Sequence, residues 1–197
     1  MAAAAVASGK KNAARLGAHL VFLDESGFLI LPLVVKTWAP RRHTPVLAER
    51  MIKREKISAI SAISVSPRRQ HLGLYYQLHR TNIRQREVCQ FLRHLLRHLR
   101  GPVVLLLDNA KIHRSRELWQ LQARQARLCV EYFPGYAPEL NPDEGVWRWS
   151  KRMLANGQPA TIEIVNEQVD AVLSTLRNSP TRLRACIVHS TLPPFLR

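Results

Sequence analysis

Cysteine is scarce in this sequence: Cys89, Cys129 and Cys186 are the only three in 197 residues, and none forms a C-x-x-C pair. That spacing excludes a zinc ribbon and a disulfide framework and fits a reducing compartment. The three read as small core residues. Acids are also scarce, 14 against 30 Lys and Arg, for a net charge of +16 and a pI near 11.0. Such a balance points to a polyanionic partner, and nucleic acid is the usual one. No apolar run reaches the roughly 20 residues of a membrane span, so no membrane association is expected. The Ala-rich start carries its charges after its apolar part, the wrong order for a signal peptide. G-x-x-x-x-G-K-[ST] and G-x-S-x-G are both missing, so P-loop ATPase and serine-hydrolase chemistries have no support.

What is present is enough for a core: 46% of residues are hydrophobic, over a length that suits one domain. Residues 1–17 read as a basic helical lead-in. "HLVFLDES" reads as a strand over His19–Leu23 ending on Asp24 and Glu25, and "FLILPLVVKTW" as a second strand region disturbed at Pro32. Lys56–Val65 and His71–His79 form a hairpin around "SPRRQ". The period then changes. Val88, Phe91, Leu92, Leu95, Leu96 and Leu99 recur at helical spacing, with a basic opposite face, until Gly101-Pro102 stops the helix. "VVLLLD" is apolar on both faces, as in a strand covered on both sides. A helix over 115–127, a strand over Leu128–Phe133 and a helix opening near Pro142 follow. Thr161–Arg177 reads as an amphipathic helix with Ile162, Val165, Val169, Val172 and Leu176 inward, and 180–189 adds a short helix. This order implies an α/β fold: a ribonuclease H-like mixed sheet, antiparallel early and parallel later, flanked by helices. The expected core domain covers 18–178, with 179–197 as a C-terminal extension.

Asp24 and Asp108 each end a strand, where open α/β sheets bind ligands. If those strands are neighbours, two carboxylates stand side by side, which is costly unless a cation lies between them. Oxygen-only ligands select hard cations, Mg²⁺ or Mn²⁺. A third acid has to come from "ELNPDEGVWRWSKR". There Asn141 and Glu144 also fit a helix capping box, and Glu144–Arg148 a surface i, i+4 pair worth about 0.3–0.5 kcal/mol. Val146, Trp149 and Met153 read as the buried stripe, with Glu144 away from it and Asp143 turned about 100° from Glu144. Asp108 and Asn109 on their own read equally as turn residues, and His113 as a capping or surface residue.

"LDES", "LLLDNAKIH" and "PGYAPELNPDEGVWRW", in that order, resemble the DDE transposases of the IS630/Tc1/mariner superfamily, and specifically the IS630 branch. "TWAPRRHTPVL" and "LRGPVVLLLDN" are also typical of it, and the resemblance covers roughly Leu16–His189. It implies that Asp24, Asp108 and Glu144 are the catalytic, metal-binding acids for two Mg²⁺ or Mn²⁺ ions. Asn109 and His113 would orient a metal ligand or a phosphate. Glu25 would be a neighbour and not a ligand. The implied activity is metal-dependent DNA strand cleavage and strand transfer on transposon ends and target DNA, by a homodimer, in the bacterial cytoplasm beside the nucleoid. Phosphate contacts would come from Arg41, Arg42, Lys111, Arg114, Arg148, Lys151 and Arg152. Trp147 would stack on an unpaired base or pack half-buried. A complete member of that branch carries helix-turn-helix domains before this block, so this chain is expected to be a piece of the full transposase. Two alternatives stand beside this reading: an inactive remnant that only binds DNA, and another ribonuclease H-like nuclease.

Overall fold

In the computed structural model, residues 11–30, 34–36, 38–43 and 55–192 are described. Five strands form one mixed sheet in the order β3-β2-β1-β4-β5. They are β1 (His19–Leu29), β2 (Lys56–Val65), β3 (Leu72–His79), β4 (Val103–Leu107) and β5 (Leu128–Tyr132). β1, β2 and β3 pair antiparallel, whereas β1, β4 and β5 run parallel. Residues 11–15 are helical, and the helices with both ends described are α1 (Gln85–His98), α2 (Arg116–Arg124), α3 (Asp143–Met153), α4 (Ile162–Arg177) and α5 (Pro180–Val188).

Side chains alternate along each strand, and the two faces hold two separate cores. Val21, Leu23, Leu105 and Leu107 pack with α1 and α2 residues such as Phe91, Leu95 and Leu118. Leu20, Phe22, Val104 and Leu106 pack with Val146, Val169 and Ile187 from α3, α4 and α5. This is the expected sandwich, and it explains why β4 is apolar at every position: all five of its residues are buried. Gly101, at φ 86, turns the chain from α1 into β4 in a conformation that a side chain would strain. Ser115 and Thr161 accept from the Leu118 and Ile164 N–H groups and cap α2 and α4.

Three expectations need correction. β1 does not end at Asp24 but runs to Leu29, because β2 pairs with it continuously from Leu20↔Val65 to Leu29↔Lys56. Phe28 and Leu29 therefore close β1 and open no second strand; residues 34–36 are not in a strand, and Pro32 lies outside the described residues. The buried stripe of α3 is Asp143, Val146, Trp147 and Ser150, while Met153 is exposed. The helix packs against β1, α4 and α5 together, and its buried face is the one turned to them. In α4, Leu173 is buried where Val172 was expected. Residues 1–10, 44–54 and 193–197 lie outside the described residues.

Candidate active site

β1 and β4 are in register from His19↔Val103 to Phe22↔Leu106. Asp24 lies two residues beyond the last β1–β4 pair on β1, and Asp108 two residues beyond it on the other chain segment, just past the end of β4. Both fall on the α3 face, by the alternation that puts Leu20, Phe22, Val104 and Leu106 there. β4 ends at Leu107 while β1 continues, so the two acids stand where the sheet opens. Asn141 ties the third segment to the same place: its Oδ1 accepts from the Asp143 N–H at 3.2 Å, and its Nδ2 donates to the Leu23 carbonyl at 3.4 Å. Glu144 follows in the first turn of α3. Its carboxylate makes no capping hydrogen bond, and with Asp24 and Asp108 it lines one open cleft of about 370 Å³. Asn109, Phe133, Pro134, Tyr136 and Asn141 are among the other residues of its wall.

The acids act on one another. Burial pushes the Asp24 carboxyl up to about 7 from 3.8, helped by the charges of Glu144 and Asp108. An all-oxygen set whose members resist ionising together suits a hard divalent cation. Among the described residues no three His, Cys, Asp or Glu side chains converge closely enough to hold one ion as they stand. Asp24, Asp108 and Glu144 nonetheless line the same cleft.

Each Asp has a buried partner. Trp147, 2% exposed, donates its indole N–H to Asp24 Oδ2 at 3.0 Å. Of the two roles expected for Trp147, packing holds, more deeply than half-buried, and base stacking does not. Asp108 Oδ1 accepts from the Ala110 N–H at 2.9 Å and lies 3.3 Å from His113 Nδ1. His113 is fully buried, and its Nε2 lies 3.1 Å from Glu25 Oε1. Burial, with the charges of Asp24 and Asp108, holds Glu25 well above the usual carboxylate range, and burial holds His113 below its usual value. Burial thus opposes the charged form of both Glu25 and His113, and Nδ1, though near Asp108, has no hydrogen-bond partner among the described residues. His113 is therefore neither a cap nor a surface residue.

Sequence reasoning set Glu25 aside. The alternation along β1 could have found it, because consecutive residues face opposite sides: Asp24 meets Trp147, and Glu25 meets His113. Asp143 is fully buried, accepts from Ser61 Oγ at 3.1 Å, and stays away from the cleft as expected. Asn109 ties the end of β4 to β5 through the Phe133 carbonyl and receives Arg114, whose guanidinium sits 5.3 Å over the Tyr132 ring. None of the seven basic candidates lines the cleft. Arg41, Arg42, Lys111, Arg114, Arg148 and Arg152 are exposed, and Lys151 is half-buried.

A five-stranded mixed sheet with helices on both faces and acids at the β1–β4 opening defines a ribonuclease H-like fold. The chain belongs to the DDE superfamily endonucleases, whose family model matches residues 19–165. No curated protein sequence matches it. Among solved structures it is similar to the Mos1 mariner paired-end complex with Mn, at 17% identity and a TM-score of 0.60, over 96% of this chain and 62% of that one. The corresponding complex with Mg matches at 18% identity and a TM-score of 0.60, over 97% and 63%. The catalytic domain of Mos1 mariner transposase matches at 14% identity and a TM-score of 0.55, over 98% and 95%. The chain thus spans about three fifths of the length of the transposase chains in the paired-end complexes. No helix among the described residues is long and apolar enough to cross a membrane.

Proposed function

We propose that this chain is the catalytic domain, over about residues 18–178, of a DNA transposase of the IS630 branch. It cleaves DNA at transposon ends and joins the freed strand to target DNA. Asp24, Asp108 and Glu144 are its catalytic carboxylates and hold two Mg²⁺ or Mn²⁺ ions. The observation that carries this reading is the one cleft that Asp24, Asp108 and Glu144 line together, beyond the last β1–β4 pair. Bound there, the ions supply Lewis acidity: activation of a water or a 3′-hydroxyl, and stabilisation of the leaving oxygen.

The chain's own residues do the positioning. Asp24, Asp108 and Glu144 would hold the cations, which would supply positive charge for a scissile phosphate. Trp147 fixes one oxygen of Asp24, and His113, backed by Glu25, faces one oxygen of Asp108. Asn109 fixes the loop that carries Asp108. Exposed Arg41, Arg42, Lys111, Arg148 and Arg152, with Lys151, contact phosphates away from the acids, so affinity falls steeply with salt. Mos1 structures with DNA include a pre-cleavage transpososome and a strand transfer complex, and others contain Mn or Mg, which supports DNA as substrate and divalent cations as cofactors. The active complex is a homodimer bound to transposon ends in the bacterial nucleoid, with end recognition supplied by helix-turn-helix domains outside this block.

The test is nicking of supercoiled plasmid with Mg²⁺ or Mn²⁺. Wild-type protein nicks, and Asp108→Ala does not with either metal. Equal nicking by the variant refutes the proposal. DNA binding without nicking by the wild type assigns the chain to the inactive remnants.

A further inference from the structure

Tyr136 stands on the rim of the acidic cleft and is explained by nothing within the protein. Its side chain is more exposed than in an extended chain, at 107%. It makes no hydrogen bond, ion pair or ring contact with the described residues. Its backbone is left-handed, at φ 57. That conformation costs a residue with a Cβ about 1–2 kcal/mol, and an aromatic there is an outlier. Gly135 precedes it, and a glycine at 136 would remove the strain entirely. Burial does not offset the cost, because there is none.

The segment is also held. At its start, the Phe133 N–H donates to the Leu107 carbonyl at 2.7 Å, and the Phe133 ring stacks on Phe22 with centroids 6.3 Å apart. At its end, Leu140 and Asn141 donate to the Ala137 and Pro138 carbonyls, and Thr191 donates to the Glu139 carbonyl. Pro134 and Pro138 bracket the ring. A fully exposed aromatic, on a segment tied at both ends and placed over a cleft, is a stacking platform. In a chain of net charge +16, the planar partner that arrives with a polyanion is a nucleobase.

We infer that Tyr136 stacks on an unstacked nucleobase of the DNA strand whose phosphate lies at Asp24, Asp108 and Glu144. This rests on the proposed function. Stacking of this kind is tolerant of sequence, because every base has a π-face. It steadies the strand beside the acids without touching a phosphate, a different task from that of the basic residues.

The test is the affinity for a short DNA duplex bearing a single-stranded 3′ extension, against the same duplex with an abasic extension, with Ca²⁺ as the cation and at two salt concentrations. On the base-bearing extension, Tyr136→Ala binds about 5- to 100-fold more weakly than wild type and Tyr136→Phe about equally. On the abasic extension the three bind alike. The loss is the same at both salt concentrations, since no counterion is involved. Thermal melting of Tyr136→Ala shows the fold intact.

Equal losses on the two extensions, or a Tyr136→Phe as weak as Tyr136→Ala, overturn the inference. So does a change in sedimentation with DNA affinity unaltered, which assigns the ring to a contact between copies of this chain. Nicking that is lost in Asp108→Ala while Tyr136→Ala binds like wild type removes this inference alone. Nicking that survives in Asp108→Ala removes the reading beneath it.

Discussion

Asp24 predicts how the metal-free protein responds to pH. Its carboxyl keeps a proton to about 7 in the folded state against 3.8 in a model peptide, because burial and then the charges of Glu144 and Asp108 oppose ionisation. Between those values the unfolded chain has released the proton and the folded chain retains it. Stability therefore falls as pH rises through that window; it is full below 3.8 and lowest above about 7. At about 1.4 kcal/mol per pH unit, the loss attributable to Asp24 is roughly 4 kcal/mol. In Asp24→Asn the titrating group is gone, while an amide oxygen still accepts from Trp147. At pH 8 with chelator, that variant should melt about 8–16 °C above wild type, at about 2–4 °C per kcal/mol for a domain of this size. Near pH 4 the two should melt together. Glu25 and Asp143 shift in the same direction, in part through the charge of Asp24, so their relief in Asp24→Asn adds to the difference with the same sign. Added Mg²⁺ should raise the melting temperature of wild type at pH 8 and leave Asp24→Asn unmoved. Melting curves that stay parallel from pH 4 to pH 8 would refute the electrostatic account of the cleft.

Trp147→Phe removes the indole N–H from Asp24 Oδ2 and keeps an aromatic ring in the core. The concentration of Mg²⁺ that half-saturates nicking should rise about 10- to 100-fold, as for other residues that orient a metal ligand. The rate at saturating Mn²⁺ should change little, and an equal loss at every metal concentration would contradict that role. Gly145→Ala would place a Cβ 2.9 Å from Cys186 Cβ and 3.0 Å from its Cα, where α3 meets α5. Overpacking of that kind costs about 1–3 kcal/mol, read as a lower melting temperature; an unchanged one would show that the two helices are not held at that distance.

Much of the sheet was legible because strand and helix periods are local properties. β2 was expected over Lys56–Val65 and is found there. The breaks at Gly101-Pro102 and around Pro142 are local too, since they follow from the backbone chemistry of Gly and Pro. The length of β1 was not legible: Asp24, Glu25, Ser26 and Gly27 read as a strand end, and only ten consecutive pairings with β2 make them strand.

The sequence by itself determined that the chain folds as a basic α/β domain with one acid in a strand, one just past a strand end and one at a helix start. The tertiary structure alone decided what each acid meets. Period-two alternation turns Asp24 and Glu25 to opposite faces, but the groups waiting there come from Trp147 and His113, 123 and 88 residues further along. No local pattern encodes such a meeting. It follows from which helix packs on which face of the sheet, and that is settled only when both cores close.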